Sequence, residues 1–130
     1  MKKLLISLLL LISLPVYICA ADKSKAKISF EQSVYDFGNI KEDGGKVTHE
    51  FVFTNEGQDP LKITSAKAEC GCTTPEYPKE EIKPGEKGVI KVTYNPLGRP
   101  GGFTKIVTVR CTGNPGKVNL KIRGVVVPKN

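Results

Sequence analysis

Residues 28–128 are expected to fold as an all-β, immunoglobulin-like antiparallel β-sandwich of about seven strands. Three observations point there. Apolar and polar residues alternate with a period of two through most of the sequence, turn-forming residues interrupt it at short intervals, and no helix-period stretch follows the first 21 residues.

The chain opens with Lys2 and Lys3, an almost unbroken apolar run from Leu4 to Val16, and Ile18-Cys19-Ala20-Ala21. A positive start, an apolar stretch and a small-residue exit form the layout of an export signal. The run is shorter than the roughly 20 residues that span a bilayer and contains Ser7, Ser13 and Pro15, which argues against a retained anchor. Residues 1–21 are therefore expected to be a signal peptide cleaved after Ala20 or Ala21. Lipidation of Cys19, giving an outer-membrane lipoprotein, is the alternative, and bulky Ile18 fits it poorly. The polar residues 22–27 are expected to be a short linker, and the domain follows without a transmembrane segment.

Ile28 to Phe30 and Val34 to Phe37 read as a split first strand. Val47, Phe51 and Phe53 then alternate with Lys46, Thr48, Glu50 and Thr54, as a half-buried strand requires. Leu61 and Ile63 begin another strand, but Ala66 and Ala68 have the opposite parity, so a bulge is expected near Ser65. Ile90, Val92 and Tyr94 alternate with Lys91 and Thr93. Val107 and Val109 carry the pattern through Thr104 to Cys111, with Ile106 on the other face. Val118, Leu120, Ile122 and Val126 close it. Asn55-Glu56-Gly57, Pro84-Gly85, Pro100-Gly101-Gly102 and Asn114-Pro115-Gly116 separate these strands, combining preset φ angles with residues that tolerate positive φ. Tyr35, Phe37, Phe51, Phe53 and Tyr94 sit at strand positions and read as core.

The chain carries 20 Lys and Arg against 13 Asp and Glu, net +7; loss of Lys2 and Lys3 with the signal leaves 18 against 13, net +5. Its lysines recur singly along strands, arginines number three, and no basic stripe is interleaved with aromatics. This excess reads as a solvated surface and not as a nucleic-acid interface. The sequence has no His-Glu-x-x-His, no phosphate-cradling glycine loop and no Gly-x-Ser-x-Gly elbow. Glu80 and Glu81 lie beside Lys79 and Lys83, as in a solvated loop, and a single histidine limits acid–base chemistry. No catalytic residues are assigned.

Chemistry concentrates at Cys70-Gly71-Cys72. In a fully extended chain the two Cα atoms would stand nearly 7 Å apart, at the limit of disulfide geometry, and Gly71 permits the tighter backbone a bond needs. The pair reads as a local staple or as two inert thiols holding a loop, or else as a redox-active or metal-capturing site. Thiolates select soft ions, so Cu(I) is the candidate metal, with Cys70 and Cys72 as ligands and His49 as a possible third. A closed zinc site wants four ligands, which would take all three mature cysteines and the single histidine. His49 shares the parity of Val47 and Phe51, so it faces inward or lies at the sandwich edge. Cys111 shares the parity of Val107 and Val109, which predicts a buried side chain. In standard sandwich order it lies at the opposite end from Cys70 and is expected to be unpaired.

Several segments together resemble one bacterial family. They are Tyr35-Asp36-Phe37-Gly38, His49-Glu50-Phe51-Val52-Phe53-Thr54-Asn55-Glu56-Gly57, Pro60-Leu61-Lys62-Ile63, Cys70-Gly71-Cys72-Thr73, Pro84-Gly85 and Leu120-Lys121-Ile122-Arg123-Gly124. The family is called domain of unknown function 1573, and the resemblance spans nearly all of the mature chain. It implies an exported immunoglobulin-like domain related in shape to the major sperm protein group and common in the Bacteroidetes line. It implies no established activity, and Cys111 departs from the family pattern. Two function classes follow. The first is a non-catalytic binding or accessory module of the periplasm or extracellular envelope, recognising an envelope protein through loops or a sheet edge. The second is a thiol-based copper-handling or redox protein using Cys70 and Cys72.

Overall fold

A computed structural model describes residues 24–129. The expected signal peptide, residues 1–21 with Cys19, lies outside the described residues. In chain order the strands are β1 (Ile28–Phe30), β2 (Val34–Lys41), β3 (Val47–Asn55), β4 (Ile63–Ala68), β5 (Thr73–Glu76), β6 (Lys87–Tyr94), β7 (Gly101–Cys111) and β8 (Lys117–Val127). They form two four-stranded sheets, β1-β3-β6-β5 and β2-β8-β7-β4. The described residues contain no helix long and apolar enough to cross a membrane.

The alternating side chains meet between the sheets. Phe51, Phe53, Ile90, Val92 and Tyr94 enter from one side, and Val107, Val109, Leu120, Ile122 and Val126 from the other, all almost inaccessible to solvent. At about 1.5–3 kcal/mol for each large apolar side chain removed from water, this layer dominates the stabilisation. The register of β4 against β7 shifts between Ile63 and Ser65, where the parity change in the sequence requires a bulge. Beyond it, Ala66 and Ala68 face Val109 and Val107 and pack on the core.

Two expectations are corrected. The strand count is eight, not about seven, because Thr73–Glu76 forms an unforeseen edge strand against β6. It is four residues long and contains Pro75, which removes a ladder donor and is tolerated at a sheet edge. The second correction concerns strand direction, since β2 pairs with β8 in parallel. The split first strand explains it. β1 lies antiparallel to β3; the chain then crosses at Glu31–Ser33 into the other sheet without reversing, so β2 keeps its heading beside β8. The crossing is fixed by Glu31 N–H donating to the Val52 carbonyl (3.0 Å) and by Lys121 N–H donating to that of Ser33 (2.8 Å).

The described part of the expected linker, 24–27, is pinned rather than free. Ala26 is 1% exposed, and its carbonyl accepts from Asn114 N–H (3.0 Å). Gln58 N–H donates to the Lys25 carbonyl (2.9 Å), and Glu56 N–H to that of Lys27 (2.8 Å). Gly57 makes this approach possible, because a Cβ there would run into the backbone of Lys25 to Lys27.

Candidate functional site

The row Val47, Tyr94, Thr73 is in register across three strands of the first sheet. Consequently the segments 42–46, 69–72 and 95–100 all emerge at one end of the sandwich. The middle segment carries the cysteines. After Ala68 the chain must leave one sheet and enter the other as β5, and Cys70-Gly71-Cys72 makes that passage. A disulfide joins the two cysteines with Cα atoms 5.4 Å apart, inside the usual range for such bonds. The turn is held further by Thr73 N–H donating to the Cys70 carbonyl (3.3 Å) and by Cys72 N–H donating to Cys70 Sγ (3.3 Å). Cys72 is buried, Cys70 half-buried and Gly71 exposed.

Hydrogen bonds tie the three segments together. Asn95 N–H donates to the Cys72 carbonyl (2.9 Å), linking the second and third. Gly98 N–H donates to Glu42 Oε2 (3.1 Å), linking the third and first. Within 95–100, Asn95 Oδ1 accepts from Leu97 N–H (3.2 Å) and the Pro96 carbonyl from Arg99 N–H (3.0 Å). Beneath them Tyr94 stacks on Phe103, centroids 4.0 Å apart, and burial pushes the Tyr94 hydroxyl pKa up while Arg99 pulls it down. The loops therefore stand on a rigid floor, with Leu97 at 59% exposure.

With the sulfurs bonded to one another, Cys70 and Cys72 have no lone thiolate for a metal. A two-electron reduction would have to precede any binding of Cu(I). His49 stacks face to face on Tyr35 (3.7 Å between centroids) and edge-on to Phe51 (4.6 Å). No group of three His, Cys, Asp or Glu side chains placed to hold a metal occurs among the described residues. Cys111 is a free thiol at the other end, opposite Ile63 at the start of β4. Its side chain is half-buried, donates to the Pro115 carbonyl (3.4 Å), and has its pKa raised by burial against a lowering hydrogen bond from Gly113.

Leu97, Glu42 and Asn95 were missed by the sequence reading. A signal was present in Asn95-Pro96-Leu97-Gly98, where a large aliphatic residue sits inside a turn-forming run with no strand parity to bury it.

The fold recurs in solved structures of low sequence identity. A protein of unknown function from Porphyromonas gingivalis W83 superposes with TM-score 0.70 at 15% identity, over 85% of this chain and 51% of that one. A PapD-like domain of human CEP192 does so with TM-score 0.66 at 12% identity, over 92% and 97%. The VesB protease of Vibrio cholerae contains a similar domain, TM-score 0.63 and 17% identity, over 77% of this chain and 32% of the protease. The chain thus spans about half of the Porphyromonas protein and a third of the protease. No curated protein matches it. The family model described as protein of unknown function DUF1573 matches residues 28–126, nearly the whole β-sandwich, and the chain belongs to that family.

Proposed function

We propose that the chain is a non-catalytic binding module, exported to the periplasm or cell surface, that recognises an envelope protein through its disulfide-bearing loop end. The observation that carries this reading is the pair of hydrogen bonds, Gly98 N–H to Glu42 and Asn95 N–H to the Cys72 carbonyl, that ties three loops together beside exposed Leu97. An aliphatic side chain held out on a stiff loop contributes contact area with little ordering entropy to lose on binding. Loops on a rigid sandwich are a common place for recognition. Export through residues 1–21, with Cys19 lipidation as the alternative ending, is part of the same proposal and accords with a disulfide, which persists in oxidising compartments.

A photo-crosslinking residue at position 97, introduced in cells of the source organism, tests the reading. It should give a discrete adduct, whereas the same residue at position 116, at the other end of the sandwich, should not. Identical adducts from both positions, or none from position 97, would refute it.

A further inference from the structure

The two outer faces of the sandwich differ in charge. On the β1-β3-β6-β5 face, charges answer one another: Glu50 lies opposite Lys91, Lys91 Nζ is 4.0 Å from Glu76, and Lys87 Nζ is 3.2 Å from Glu31. On the β2-β8-β7-β4 face they do not. Arg110 lies directly opposite Lys117, a like-charged pair that costs stability, and Lys67 and Lys121 complete an exposed set on three adjacent strands. None of these four forms an ion pair among the described residues. The two carboxylates nearby are engaged elsewhere. Asp36 holds Arg123 (3.2 Å), and Glu69 Oε1 accepts from Ile106 N–H (3.0 Å).

The same face exposes aliphatic side chains. Val34, Val125 and Val127 are 43–45% exposed and lie on β2 and β8 with the outward parity of Lys121 and Arg123. Its aromatics, Tyr35, Phe37 and Phe103, turn to the core, so nothing on it stacks on a sugar or a nucleobase. Lysine-rich surfaces also lack the composition of protein interfaces, where lysine is depleted and aromatic residues are enriched. What remains is a regular array of basic and aliphatic side chains. Strands stand about 4.8 Å apart and same-face residues about 6.6 Å along each strand, so mobile ammonium groups and short apolar side chains project from one face of the sheet.

We infer that the outer face of β2-β8-β7-β4 docks on an anionic phospholipid surface, its Lys67, Arg110, Lys117 and Lys121 meeting lipid phosphates and Val34, Val125 and Val127 resting at the head-group boundary. Each basic residue near such a surface contributes roughly a fivefold gain in partitioning at physiological salt, and the gain fades as salt screens it. Arg110 and Lys117 lie toward the end of the sandwich opposite Leu97, whereas Val127 borders the Leu97 loop end, its carbonyl accepting from Glu42 N–H (3.0 Å).

Sedimentation of the full chain with phosphatidylcholine vesicles, with and without about one-third phosphatidylglycerol, tests this. The quantity read is the ratio of binding to anionic over neutral vesicles, compared between variants that share the same N-terminal run, because Lys2 and Lys3 also favour the anionic vesicles. The ratio should be well above one, fall with salt, and collapse in the Lys67→Glu, Lys117→Glu, Lys121→Glu variant. The matching Lys→Arg variant should keep it, which separates lost charge from lost fold. A ratio of one would overturn the inference. So would an equal fall in a Lys87→Glu, Lys91→Glu variant of the other face, or tighter retention on soluble polyglutamate or an anionic polysaccharide than on vesicles. Loss of the position-97 adduct with the vesicle ratio intact would count against the protein-binding proposal alone.

Discussion

Tyr35 and His49 lie ring on ring, centroids 3.7 Å apart and planes 9° from parallel, bridging β2 of one sheet and β3 of the other. Burial lowers the His49 pKa below its ordinary 6.5, and Glu50 opposes this more weakly. Desolvation of the imidazolium thus outweighs the attraction of the Glu50 carboxylate.

The folded state therefore binds a proton at His49 less readily than the unfolded chain does. Stability from this site is fully present above pH 6.5 and declines as pH falls from there through the lower folded pKa. The midpoint of urea unfolding should drop over that window in the wild type and flatten there in His49→Gln. An unchanged slope in the variant would show that other groups carry the acid sensitivity.

Asn55 is fully buried and organises the opposite end. Its Oδ1 accepts from Lys27 N–H (3.3 Å) and Gly57 N–H (3.0 Å), while Nδ2 donates to the carbonyls of Asp59 (2.8 Å) and Ile82 (2.9 Å). Asn55→Leu removes the side-chain partner of all four groups, leaving Lys27 N–H, Gly57 N–H and the Asp59 carbonyl to find another, while the Ile82 carbonyl keeps Leu61 N–H (2.8 Å). It should cost roughly 3 kcal/mol or more, measured by urea denaturation. Asn55→Asp should also destabilise, because it sets a carboxylate oxygen against two carbonyls.

Gly57→Ala tests whether the segment before β1 is truly part of the domain. The added methyl meets the backbone of Lys25 to Lys27, and overpacking of this kind costs about 1–3 kcal/mol. Amide exchange should quicken at Glu56 and Gln58, whose N–H groups donate to that segment. Unchanged protection would mean the contact is dispensable.

Thiol counting without reductant should find one free cysteine in the described domain, Cys111, alkylated slowly until denaturant exposes it. Opening the Cys70–Cys72 bond should lower stability by only about 1–2 kcal/mol, because the closed loop is so short that it restrains the unfolded chain little. A bridge from Cys111 to either partner would contradict the antiparallel pairing of β4 with β7.

Local sequence determined what strand parity can determine. The alternation at Phe51-Phe53, Ile90-Val92-Tyr94 and Leu120-Ile122 fixed which side chains are buried, because a two-residue period leaves each strand one apolar face. The parity break between Ile63 and Ala66 placed the bulge for the same reason. Which strands become neighbours was decided only by the tertiary structure. The parallel seat of β2 beside β8, the edge strand containing Pro75 and the lock of Glu42 on Gly98 all arise from contacts between segments far apart in the chain. Periodicity says which way a residue faces and nothing about what it faces.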